Sequence, residues 1–118
     1  MAKKVMIVDD DRTMNSLLKT LLELDGFAVV LAPRGEVVLS TALAEKPDAI
    51  LMDVHIADTD GLELLRQLRQ NSVLKGIPVV MSSGMDVEDK AQAAGATAFI
   101  LKPYPPEQLS AVLKKVLS

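Results

Sequence analysis

Lys4-Val5-Met6-Ile7-Val8-Asp9-Asp10-Asp11 is an apolar run that breaks off into consecutive acids. Its apolar part is short and largely β-branched with no polar alternation, the pattern of a strand buried on both faces. Such a strand belongs to a parallel sheet covered by helices, and the next residues supply the first helix. Met14, Leu17, Leu18, Leu21 and Leu22 recur at helical spacing, and Asp25-Gly26 marks the stop.

The alternation continues to the end of the chain. Phe27 to Leu31 reads as a second strand, and Val37, Val38, Ala42 and Leu43 form a weaker helical stripe ending before Pro47. Ala49-Ile50-Leu51-Met52 is the third strand, closing on Asp53, and the loop through Asp58, Asp60 and Gly61 opens a helix carrying Leu62, Leu65, Leu68 and Arg69. Ile77 to Met81 is the fourth strand, ended by Ser82-Ser83-Gly84. Asp86 is placed to cap a short helix through Ala94, and Gly95 to end it. Thr97 to Leu101 is the fifth strand. Pro105 or Pro106 starts a last helix whose apolar face holds Leu109, Val112, Leu113 and Val116. Strands alternating with helices in this way predict an α/β parallel sheet with helices on both faces, and right-handed crossovers leave few topologies. Ligands of such sheets gather beyond the carboxyl ends of the strands, and Asp9, Asp53, Ser83 and Lys102 each lie at or just past one.

With 118 residues the chain suits one domain with a real core. Apolar residues make up 49% and aromatics only 3%, so that core is built from aliphatic side chains and methionine. Met6, Met14, Met52 and Met81 sit in apolar runs as core filler. The absence of cysteine excludes disulfides and thiolate zinc sites, and a single histidine excludes a histidine cluster. Oxygen ligands remain, and acids brought close together repel until a proton or a hard cation relieves them. No stretch approaches the roughly 18 to 20 apolar residues of a membrane span, which favours a cytoplasmic protein. A net charge of −3 without a basic stripe argues against direct nucleic-acid binding.

Taken together, Val8-Asp9-Asp10, Met52-Asp53, Asp60-Gly61-Leu62, Ser82-Ser83-Gly84 and Ala94-Gly95-Ala96 ahead of Phe99-Ile100-Leu101-Lys102-Pro103 resemble the receiver domain of two-component response regulators. The likeness is in particular to the single-domain chemotaxis type, and it covers essentially the whole chain. The resemblance implies a flavodoxin-like sheet of strand order 2-1-3-4-5 and one receiver domain spanning residues 1–118. It implies a signalling switch in a phosphorelay, with at most weak self-phosphorylation and self-dephosphorylation. Asp53 accepts the phosphoryl group from a sensor histidine kinase or phosphotransfer protein, and a downstream effector reads the change. Mg²⁺ is held by Asp10, Asp53 and the main-chain carbonyl of His55, with Asp9 acting mainly through bound water. Lys102 pairs with Asp53 beforehand and then meets the phosphoryl oxygens as a point charge. The Ser83 hydroxyl turns inward to a phosphoryl oxygen. Phe99 is the rotating aromatic whose turn alters the surface of the fourth helix, fifth strand and fifth helix. The Lys102-Pro103 bond is implied to be cis, the side chains of His55 and Met85 tune water access, and a homodimer through the last helix is compatible with the pattern.

The chain departs from the resemblance in three places. Ala57 stands where proline is usual after the acceptor loop's apolar residue Ile56, which predicts a looser loop. Ser83 and Lys102 are 19 positions apart, about three fewer than usual, so the fourth helix or its entry is expected to be about one turn shorter. The fifth helix is expected to end the sequence, with no effector segment attached to it.

Other readings compete for the same residues. Asp9-Asp10-Asp11-Arg12-Thr13 also fits the Asp-x-Asp-x-Thr signature of haloacid-dehalogenase-like phosphatases, with Asp9 as nucleophile and Asp11 as acid/base. That reading leaves Asp53 and Lys102 without a role. A receiver-like binding module that is never phosphorylated is a third. Asp11 or Thr13 serves equally as a helix cap, Asp58 and Asp60 are ordinary turn and capping acids, and Phe99 could be a static core residue.

Overall fold

The structure, a computed structural model, describes residues 2–57 and 59–118, so the turn acid Asp58 lies outside the described residues. The strands of the large sheet are β1 (Lys4–Val8), β2 (Ala28–Ala32), β3 (Ala49–Asp53), β4 (Val79–Ser83) and β5 (Ala98–Leu101). Between and after them come α1 (Arg12–Leu24), α2 (Val38–Glu45), α3 (Gly61–Gln70), α4 (Glu88–Ala94) and α5 (Pro106–Leu117). The spatial order is β2-β1-β3-β4-β5 with every pair parallel, as expected.

Alternation along β1 explains the two-sided core. Met6 and Val8 join a cluster with Val38 and Ala42 of α2, Leu65 and Leu68 of α3 and Ala91 of α4. Val5 and Ile7 point the other way, to Leu18 and Leu22 of α1 and Leu109 and Leu113 of α5. Successive strand side chains face opposite sides, so a strand between two helical layers has to be apolar throughout. Among the described residues no helix is long and apolar enough to cross a membrane.

Helix α1 is closed at both ends by its own sequence. Asp11 accepts a hydrogen bond from the Met14 N–H at 3.0 Å as N-cap. At the other end Gly26 takes a φ of 95°, which lets its N–H reach the Glu23 carbonyl while the Phe27 N–H reaches that of Leu22. This reversal, which needs a left-handed residue, holds Phe27 in the helix stop and starts β2 one residue later than expected.

Strand β4 also differs from expectation. It begins at Val79, after Pro78, whose missing N–H cannot join the ladder. It runs through both serines that were expected to end it, because Ser82 pairs with Ile100 and Ser83 with Leu101. Asp86 lies one residue outside the capping position of α4 and bonds the Glu88 N–H at 3.3 Å. That helix has 7 residues, in keeping with a shortened fourth helix. Leu43, expected in the apolar stripe of α2, is 40% exposed, and Val38 and Ala42 provide the buried contacts instead. Arg69 anchors the end of α3: its guanidinium donates to the carbonyls of Gly95 at 2.8 Å and Ile77 at 2.7 Å, fastening α3 to the segments before β4 and after α4.

Candidate functional site

The register of the sheet brings the singled-out residues to one edge. Val8 lies beside Met52, so Asp9 follows β1 next to the Asp53 that ends β3. Asp53 is in register with Ser82, and Ser83 with Leu101, whose successor Lys102 donates its N–H to the Ser83 carbonyl at 2.8 Å. From there the Lys102 side chain reaches back across the sheet. Its ammonium is 2.7 Å from Asp53 Oδ2 and 3.4 Å from Asp9 Oδ2, so residues from three strand ends meet at one nitrogen. The Lys102-Pro103 bond is cis.

Burial sets the electrostatics. Asp9 is 5% exposed, and loss of water raises its carboxyl pKa more than the Asp11 N–H and the Lys102 charge lower it, with the nearby Asp53 charge adding to the rise. Partial burial pulls the Lys102 pKa down, but the hydrogen bond and charge of Asp53, helped by Asp9, outweigh it and hold the ammonium above its ordinary range. The two partners thus use one cation unequally. Asp53 has the short contact, and Asp9 remains dominated by its own burial.

His55–Ile56 pairs with Thr59–Asp60 in a small antiparallel ribbon, and Ala57 turns it with a φ of 46°. Proline is fixed near −65° and cannot take that conformation. The His55 N–H donates to Asp53 Oδ1 at 3.1 Å, and the Gly61 N–H to the Val54 carbonyl at 2.8 Å. A β-carbon at Gly61 would strike the Asp53 carbonyl, so only glycine lets α3 start against the end of β3.

Ser83 is fully buried, and its Oγ accepts the Met85 N–H at 3.1 Å, which folds the hydroxyl onto its own turn. Phe99 is half-buried, beside Met81 in register and packed on the core layer of α2 to α4. Asp10 and His55 are exposed, as is Met85 at 63%. The Asp11 carboxylate caps α1 through Oδ1.

The donor set suits Mg²⁺. Among the described residues no three His, Asp or Glu side chains stand close enough to cage a cation by themselves. Magnesium keeps several waters and takes only one or two carboxylates plus phosphate oxygens, and oxygen donors are what this edge offers.

Two residues of the site were not singled out in the sequence. Asn15 in α1 is 4% exposed and donates its amide N–H to the Asp9 carbonyl at 2.8 Å. The signal was a polar residue at helical spacing from Leu18 and Leu22. Tyr104, also half-buried, lines an apolar groove with Met14, Leu17, Leu21, Gly84 and Lys102. Burial raises its phenol pKa, with Lys102 opposing and Asp9 and Asp53 adding to the rise.

Residues 5–114 match the response regulator receiver domain family. The chain is 38% identical over 120 residues to the alkaline phosphatase synthesis transcriptional regulatory protein PhoP of Bacillus subtilis, covering 99% of this chain and 49% of that protein. The chemotaxis response regulator CheY4 of Vibrio cholerae superposes with a TM-score of 0.92 at 29% identity, covering 99% of this chain and 100% of that one. The BeF3-activated N-terminal receiver domain of RstA from Klebsiella pneumoniae gives a TM-score of 0.89 at 32% identity, with 98% of each chain covered. The chain spans about half the length of the curated relatives it matches. Sheet order, convergent edge and these likenesses agree: the chain belongs to the response regulator receiver domain family, the phosphorylation-dependent switches of two-component signalling.

Proposed function

We propose that residues 1–118 form one receiver unit in which Asp53 accepts a phosphoryl group from a sensor histidine kinase or phosphotransfer protein, in the cytoplasm. The observation that carries this reading is the Lys102 ammonium set 2.7 Å from Asp53 and 3.4 Å from Asp9 at the carboxyl edge of the sheet. An Asp53 carboxylate oxygen attacks phosphorus; a P–O bond forms as the P–N bond of the donor phosphohistidine breaks, and the imidazole leaves with the electron pair. The Lys102 ammonium passes from the carboxylate to the phosphoryl oxygens as negative charge gathers there. Asp10, Asp53 and the His55 carbonyl would hold Mg²⁺, with Asp9 acting through water, and the cation would supply the positive charge that lets a phosphoryl dianion approach a pocket of acids. The pairing of His55–Ile56 with Thr59–Asp60 and the Gly61 contact fix the backbone on which that carbonyl sits.

Ser83 and Phe99 form the readout. The Ser83 hydroxyl leaves the Met85 N–H for a phosphoryl oxygen, and Phe99 turns inward behind it, changing the surface of α4, β5 and α5 for a downstream effector. The apolar groove beside Lys102 gives a donor protein a surface to rest on while its phosphohistidine meets Asp53. Any self-phosphorylation from small donors, or hydrolysis of the acyl phosphate, is slow and secondary to signalling. Dimerisation through α5 is a further part of this reading.

Intact mass after incubation with acetyl phosphate and Mg²⁺ tests it. One added phosphoryl group that needs Mg²⁺ and is absent in Asp53→Asn supports Asp53 as acceptor. An adduct that persists in Asp53→Asn moves the acceptor elsewhere, and no adduct where a control receiver is modified points to a module that is not phosphorylated.

A further inference from the structure

The Asp10 carboxylate is exposed and makes no hydrogen bond or ion pair among the described residues, yet the backbone on both sides of it is tied down. The Asp9 carbonyl, part of the peptide that carries the Asp10 N–H, accepts the Asn15 side-chain amide at 2.8 Å. The Asp11 N–H, part of the next peptide, donates to Asp9 Oδ1 at 3.0 Å. Asn15 reaches this place because α1 is held by its Asp11 cap and by the Asn15 N–H to the Asp11 carbonyl at 2.9 Å. The segment from Asp9 to Asp11 is therefore a short rigid bracket, with Asp10 the one side chain in it left free for a ligand.

Asn15 is an expensive choice for stability alone. It is 4% exposed on the helix face that packs against the core, and its Oδ1 finds no donor among the described residues. An unpaired buried amide oxygen costs about as much as its one good hydrogen bond returns. Buried polar groups that stabilise little are often kept at functional sites, where they fix geometry.

We propose that Asn15 is a positioning residue for the cation site: it sets the peptide plane between Asp9 and Asp10 and so aims the Asp10 carboxylate at the metal. The inference rests on the reading of this edge as a Mg²⁺ site. Partners that orient a metal ligand without touching the metal are typically worth 10- to 100-fold in metal affinity, and preorganised ligands owe their strength to such supports.

The test compares the whole chain with Asn15→Leu and Asn15→Ala. Both remove the amide donor, but leucine refills the space while alanine leaves it partly empty, so the two move stability differently. Mg²⁺ affinity is read by isothermal titration calorimetry and stability by urea unfolding without metal. The expected result is a similar loss of Mg²⁺ affinity in both, about tenfold, with Asn15→Leu as stable as the parent or more so and Asn15→Ala less stable. Unchanged affinity in both variants, or affinity that follows stability from one variant to the other, overturns the positioning role while leaving the metal site intact. A parent chain that binds no Mg²⁺ overturns the metal reading and the positioning role together.

Discussion

The protonation of Asp9 in the folded chain is governed more by its burial than by its lysine neighbour. Its folded pKa lies above the ordinary 3.8, so the native state holds that proton more tightly than the unfolded chain does. The associated stability is fully present below about 3.8 and is lost as pH rises through the raised folded value. At neutral pH the ionised carboxylate is therefore a net burden. Asp9→Asn is expected to raise the melting temperature at pH 7, with the gain fading as pH approaches and passes below 3.8; scanning calorimetry of both proteins across that range checks it. Lys102 acts at the opposite end. Its raised pKa supplies stability below the ordinary 10.5 that disappears as pH climbs through the folded value, so it does not blur the acid-side comparison.

At the scale of elements, the closing turn of the acceptor ribbon is the feature most open to substitution. Ala57 holds a φ of 46°, a conformation that costs a residue with a β-carbon about 1 kcal/mol relative to glycine. Ala57→Gly is expected to stabilise the chain by about 1 kcal/mol or less, and Ala57→Pro to destabilise it or force a rebuilt turn, both read from urea midpoints at unchanged slope. The ribbon was not legible in the sequence, since two pairs of residues are too few to show a period. The large strands were legible because each is an apolar run between two helical layers, and their ends less so. Ser82 and Ser83 look like loop residues, but the ladder to β5 still needs their backbones and the interior accepts their small side chains. In α1 the spacing of leucines marked the helix yet misplaced its buried stripe: Asn15, Leu18 and Leu22 are buried, while Leu17 is 52% exposed. A stripe is wider than a helix face, and only the packed partner decides which edge goes inside.

For the whole molecule, the edge of the sheet is one charged unit, and any cation that binds it is coupled to folding. A cation that binds only the folded chain stabilises it by RT ln(1 + [L]/Kd), about 2.7 kcal/mol at a hundredfold excess over Kd. For a domain of this size that is a rise of roughly 10 °C in Tm. Thermal melts are expected to show this rise with Mg²⁺ in the parent chain and little of it in Asp10→Asn. The convergence behind it could be anticipated, because a parallel order puts every strand's last residue on one side, and Asp9, Asp53, Ser83 and Lys102 each close an apolar run. What spacing could not give was the division of labour among the acids, which depends on the depth of each carboxylate and on the single ammonium they share. Tyr104 adds something of another kind. The chain has no tryptophan, one tyrosine and two phenylalanines, so emission excited beyond the phenylalanine absorption arises from a single phenol that lies near the charges of Lys102, Asp9 and Asp53. The unlabelled protein thus carries its own optical gauge of the pocket, in which any shift of that charge balance can be followed as light without a dye or an added fluorophore.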